Sequence, residues 1–175
     1  MTNFGPFARL VGAAGLVAAL AGVAAPAFAG PAEVALLKSY EGNWRGEGTA
    51  IGTSTEKVTC RMALTPGNQD KVNYAGRCSL AGTNLSINGT LAYIEDSARY
   101  EGAMTSNLNF TGVAVGRKQG NGIVFNLQSR GEQDNTDLEI NAAIVLTPGT
   151  ITVQFKATDI KTGKVIIASV PFAKV

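Results

Sequence analysis

The sequence predicts an all-β protein, an antiparallel up-and-down meander of about ten strands closed into a barrel, with a short helical segment ahead of it. Three observations predict this. From Trp44 onward apolar residues recur at every second position, clusters of turn-forming residues interrupt them at short intervals, and the two cysteines fall opposite each other when the chain is folded about one such cluster.

Residues 1–29 come first and stand apart. Their one charge, Arg9, precedes the apolar run LVGAAGLVAALAGVAAPAFA, which ends in Ala27-Phe28-Ala29. Charged start, apolar middle and small-residue end make a secretory signal, cleaved after Ala29. A membrane anchor is the rival reading. Pro26 and the many Ala and Gly make the run a poor spanning helix, and no later stretch is apolar for the ~20 residues a span needs. Export to a periplasm or the exterior is therefore expected, with no membrane span after cleavage.

Cleavage leaves 146 of the 175 residues, enough for one domain with a sizeable core. Residues 30–43, with PAEVALLKSYEG, form the helical segment, and residues 44–175 form the barrel. Without Arg9, the 15 basic residues become 14 against 13 acidic ones. So even a balance gives no electrostatic reason to expect nucleic acid as a partner.

Alternation then sorts the strands. Val58, Cys60, Met62 and Leu64 share one face, opposite Lys57, Thr59 and Arg61. Val72, Tyr74, Gly76, Cys78 and Leu80 do the same in the next strand, Leu85 to Tyr93 after it, and Leu138 to Leu146 further on. Pro66-Gly67-Asn68-Gln69-Asp70 is a turn, and folding about its centre pairs residues whose numbers sum to 138. Cys60 and Cys78 satisfy that sum. Directly opposed residues lie within disulfide reach, and an exported chain is oxidised, so a structural disulfide is expected. Further turns at residues 81–83, 95–97, 106–107, 119–122, 130–137, 147–149 and 161–163 complete the count. Closing the meander hides its edges, whereas a two-sheet sandwich, the competing architecture, would leave some. Large apolar residues two positions from a Gly recur in Tyr74-Ala75-Gly76, Ile87-Asn88-Gly89, Tyr100-Glu101-Gly102 and Phe110-Thr111-Gly112. Glycines inside strands mark bends that a neighbouring aromatic can cover.

At the head of the first strand, Gly42-Asn43-Trp44 follows the helical segment, with Gly46 and Gly48 beyond it. This resembles the Gly-x-Trp signature of the calycins, the lipocalins and fatty-acid-binding proteins among them, and the longer glycine pattern looks like the ten-stranded nitrobindin-type barrels. The resemblance implies a Trp44 that plugs one barrel end and a basic side chain of the last strand resting on it, for which Lys174 is the candidate. Nitrobindins hold haem through a His. This chain has no His, which removes that cofactor together with the usual zinc sites and the Ser-His and Cys-His nucleophilic systems. No metal or cofactor is expected. The carboxylates of Glu95, Asp96, Asp134, Asp137 and Glu139 sit in or beside turns and read as solvated charges, and the segment from Glu132 to Asp137 lacks the spacing of a calcium loop.

No catalytic constellation is left, so the chain reads as non-enzymatic. The inward faces of the clearest strands carry no charge, which leaves an interior either filled or holding a small uncharged apolar ligand. Tyr74, Tyr93, Tyr100, Phe110, Phe125 and Phe155 are the candidates to line it. The alternative is a filled barrel acting on a protein partner, similar to exported inhibitors of metalloproteases or lysozymes. In the metalloprotease type an N-terminal trunk enters the enzyme, and here it would be Gly30 to Leu37.

Overall fold

The computed structural model describes residues 29–80, 83–107, 110–133 and 136–175. The expected signal segment lies outside the described residues up to Phe28. Helix α1 (Ala29–Lys38) leads into ten strands: β1 (Gly42–Ile51), β2 (Thr55–Pro66), β3 (Val72–Leu80), β4 (Thr83–Ile94), β5 (Arg99–Ser106), β6 (Thr111–Gln119), β7 (Gly122–Gln133), β8 (Thr136–Thr147), β9 (Thr150–Asp159) and β10 (Val165–Lys174). Each strand pairs antiparallel with its sequence neighbours, and β1 pairs with β10, so the sheet closes into a barrel. The expected meander is therefore the observed one, and the sandwich is not formed. Closure leaves no strand edge.

The register about residues 66–70 follows the sum of 138, with Cys60 opposite Cys78, Leu64 opposite Tyr74 and Pro66 opposite Val72. Gln69 and Asp70 supply the positive φ values, 53° and 61°, that this tight connection requires. Cys60 and Cys78 form a disulfide between Cα atoms 4.1 Å apart, closing a loop with a sequence separation of 18. A loop of that size contributes about 3 kcal/mol on the chain-entropy model.

Turns β2–β3, β4–β5, β6–β7 and β8–β9 share one end of the barrel with α1 and both ends of the meander. The remaining turns share the other end. At the first end α1 forms a lid. Leu37 and Tyr40 are 0% and 2% exposed, and the lid is tied down around its rim. Tyr40 Oη donates to the Leu146 carbonyl at 3.2 Å, Tyr100 Oη to the Glu33 carbonyl at 3.2 Å, and Lys38 meets Asp70 at 2.6 Å. Lys118 Nζ reaches Glu33 Oε1 at 3.2 Å. Lys118 ends the inward row of β6, a strand outside those sorted by alternation, and stands at the rim, where α1 supplies its counter-ion. The segment Gly30 to Leu37, which an inhibitor would project as a trunk, is instead part of this lid because burying Leu37 holds it on the barrel.

Trp44 lies beneath the lid at 2% exposure, and its Nε1 donates to the Tyr40 carbonyl at 3.0 Å. The helix caps the end and the indole fills the space under it. Lys174, directly opposite on β10, puts Nζ 5.6 Å from the indole centroid. Two neighbouring glycines have distinct reasons to be there. Gly42 has φ of 137° and packs against the Lys174 stem, while a Cβ at Gly48 would stand 2.1 Å from the Ser169 carbonyl oxygen. Glu95 and Asp96 lie in a short 3₁₀ turn and are exposed, as expected of solvated charges.

Candidate functional site

Alternation turns one face of every strand inward, but the interior is not uniform. On the wall built by β5, β6 and β7 it is filled. Tyr100, Met104, Ala114, Ile123, Phe125 and Leu127 are all buried there. Aromatic rings close the gaps that glycines open, but from the adjacent strand rather than from two positions along the same one. Phe125 faces Gly116 across the ladder, with ring carbons 2.7 Å from where a Cβ would be, and Tyr74 covers Gly89 in the same way. Through the space left at Gly89, Tyr74 Oη donates to the Ala103 carbonyl at 3.3 Å. Burial pushes the Tyr74 phenol well above its ordinary pKa, so it remains a neutral group.

The walls that flank the filled one are different. Inward residues of β3 and β4, among them Tyr74, Cys78 and Ile87, and of β8 and β9, among them Ala142, Val153 and Phe155, pack against the core yet keep accessible surface. These apolar groups point inward and still meet solvent. The disulfide belongs to one of these walls, with Cys60 buried and Cys78 half-buried. Nothing charged stands among these residues. The one polar group, the Tyr74 hydroxyl, already has its acceptor.

The six aromatic candidates thus separate into groups. Tyr93, Tyr100 and Phe125 stack in sequence, with centroids 5.1 Å and 6.2 Å apart and planes inclined at 62°, under the lid. Tyr100 is fully enclosed, and its phenol is pushed up to about 12 by burial first, with the Glu33 carboxylate and the Tyr93 and Tyr40 phenols adding to it. Phe110 is 5% exposed and packs on Gly131 near the open end. Tyr74 and Phe155, like Tyr93 nearer the lid, keep accessible surface. Ile87, Ala142 and Val153 do so too, and the period-two pattern already placed Ile87 and Ala142 inward. Their being unfilled depends on what lies across the barrel, which that pattern does not encode.

Among the described residues no group of three or more His, Cys, Asp or Glu could hold a metal ion. The segment Glu132 to Asp137 includes Asp134 and Asn135, which lie outside the described residues. No described helix is long and apolar enough to cross a membrane.

Fold and interior together define the class, a closed ten-strand antiparallel barrel consistent with the calycin-like fold, capped at one end. Among solved structures it is similar to Rv2717c from M. tuberculosis, with a TM-score of 0.64 at 10% identity over 81% of this chain and 96% of that one. An S-type phycobiliprotein lyase from Guillardia theta aligns with a TM-score of 0.49 at 12% identity, over 83% of this chain and 93% of that one. A de novo designed fluorescence-activating β-barrel gives 0.41 at 12% identity, over 79% and 96%. At such identities the likeness is one of fold. No protein-family model matches the sequence, and no curated protein does.

Proposed function

We propose that the protein is an exported, non-enzymatic barrel that holds a small uncharged apolar molecule in the open half of its interior. The observation that carries this reading is the contrast between the β5–β7 wall and the walls that flank it. A barrel selected only for stability would fill them all, since each unfilled methylene-sized gap forfeits packing energy. Here the β5–β7 wall is filled and the β3–β4 and β8–β9 walls keep apolar surface in reach of solvent. Binding there would rest on burial of ligand surface, with shape rather than charge deciding which ligand fits. The disulfide is compatible with an oxidising compartment. An inhibitor's free trunk has no counterpart, because that segment is engaged in α1.

Native mass spectrometry of protein purified from its own host tests the reading directly, with a retained small molecule as the expected outcome. A protein carrying Ala142→Phe should lose that mass and remain folded, because the new ring occupies space between Leu127 and Phe155, its register partners on either side. Protein from the same host that carries no ligand, and binds no apolar fluorophore, would overturn it.

A further inference from the structure

We infer that the outer face of β1–β3 is a second binding surface, for an acidic polysaccharide, built on a rank of three arginines. Arg45, Arg61 and Arg77 all point outward and are exposed. The register sets Arg45 opposite Arg61, and Arg61 opposite Arg77. Adjacent strands stand about 4.8 Å apart, so three guanidinium groups form a row about 10 Å long that crosses the strands. Ser86 continues the row on β4.

Like charges directly opposed across strands destabilise a sheet, and two such pairs in succession oppose folding unless a third party offsets them. Among the described residues the offset is slight, an attraction between Arg45 and Glu47. None of the three arginines makes an ion pair among the described residues. The nearest outward acid on β1, Glu47, is held by Lys57 at 2.9 Å, and its carboxyl sits below the ordinary range because of that lysine first and Arg45 last. Around the row the side chains are small. Ala63 and Ala75 floor a depression of about 470 Å³ that the arginines border, with Asn43 and Asn88 at its side.

The chemistry of this face selects its occupant. Arginine's planar fork binds carboxylates and sulfates through paired N–H donors, and three forks in line match a polymer with repeated negative charge. Amides and a hydroxyl beside them suit sugar hydroxyls. Nucleic acid is a poorer match, because the aromatic residue bordering the depression, Trp44, is 2% exposed and offers no ring face on which a base could stack. An acidic peptide would ordinarily gain affinity by adding a strand, and a closed barrel has no edge to offer. An anionic bilayer would meet a concave patch whose one well-exposed large apolar side chain is Val175, too little apolar surface to insert. The surface lies on the opposite side of the wall from the proposed ligand space, so the two inferences stand or fall separately.

Titration calorimetry of the intact protein at low salt tests this, with polygalacturonate as the probe and neutral dextran, poly(U) and phosphatidylglycerol vesicles as comparisons. Polygalacturonate should bind, and its affinity should fall with added salt as about three counterions are displaced. Arg61→Gln should weaken it about tenfold or more, and Arg77→Gln likewise. Lys156→Gln, exposed on β9 and away from the row, should change it less than about twofold. Arg61→Gln should also melt at an equal or higher temperature than the parent, so that lost binding cannot be ascribed to lost fold. Equal binding of neutral dextran, tighter binding of poly(U) or of the vesicles, or an unchanged affinity in both arginine variants would overturn the proposal.

Discussion

The two ends of the barrel are built from the same alternating strands, yet they are finished by opposite rules. At the closed end a helix lid and an indole leave Leu37, Tyr40, Trp44 and Tyr100 almost no accessible surface, and the Tyr40 and Tyr100 hydroxyls and the Trp44 N–H each have an acceptor. At the open end Ile51, Ile160, Ile166 and Ile167 are 55%, 50%, 45% and 53% exposed. An apolar rim is tolerated where something passes across it, and a sealed one is needed where the fold is anchored. The difference sets a lidded, packed end against an end whose rim is apolar and exposed.

The sharpest way to break this comparison is Trp44→Ala. It empties the space under the lid and strands the Tyr40 carbonyl, and should cost about 3–5 kcal/mol in denaturant unfolding. Ile167→Thr at the open rim should stay within about 0.5 kcal/mol in the same measurement. Equal losses at the two positions would mean that the ends do not differ as described.

Alkaline titration sharpens the comparison further. The Tyr100 phenol is held near 12 in the fold against about 10 when free, so the neutral form is the one the closed end favours. Its contribution, on the order of 2 kcal/mol, is complete below pH 10 and disappears as pH rises through 12. Phenolate absorbance followed together with circular dichroism should show Tyr100 ionising only as the lid loosens. A fully ionised Tyr100 at pH 11 in an intact fold would refute the assignment. The smallest effect is expected from Lys174→Ala, which removes the ammonium above Trp44 and should lower stability by about 0.5–1 kcal/mol, read as a shift in the denaturant midpoint.

Much of this architecture was legible in the sequence for a physical reason. A closed antiparallel barrel consists of hairpins, and each hairpin's register follows from its turn. The turn at residues 66–70 alone yields the Cys60–Cys78 pair and, by the same sum, the Arg61–Arg77 pair. The turn through Gly52 and Ser54, where numbers sum to 106, would have completed the rank with Arg45. Net charge concealed it, since a total near zero says nothing about where the charges gather. The separation of Phe155 from Phe125 was not legible, because each is inward by parity and only the wall opposite decides which one is enclosed. The docking of α1 was equally hidden. Its sequence contains the helix, but the acceptors that fix it, the Leu146 carbonyl and the Asp70 carboxylate, are far along the chain.

The pairing of β1 with β10 carries a consequence for how the molecule comes into being. Nine of the ten strand pairings join neighbours in sequence and can form by local zippering, but the tenth joins residue 44 to residue 174. Loop-closure entropy makes that contact the latest and slowest, and a chain emerging from a ribosome or a translocation pore holds an incomplete, two-edged sheet until its final strand is released. The Trp44–Lys174 contact sits on that seam, so it serves less as a brace of the finished barrel than as a clasp that reports when the barrel has shut. Indole fluorescence during refolding would then change last, after the ellipticity of the sheet has already been gained.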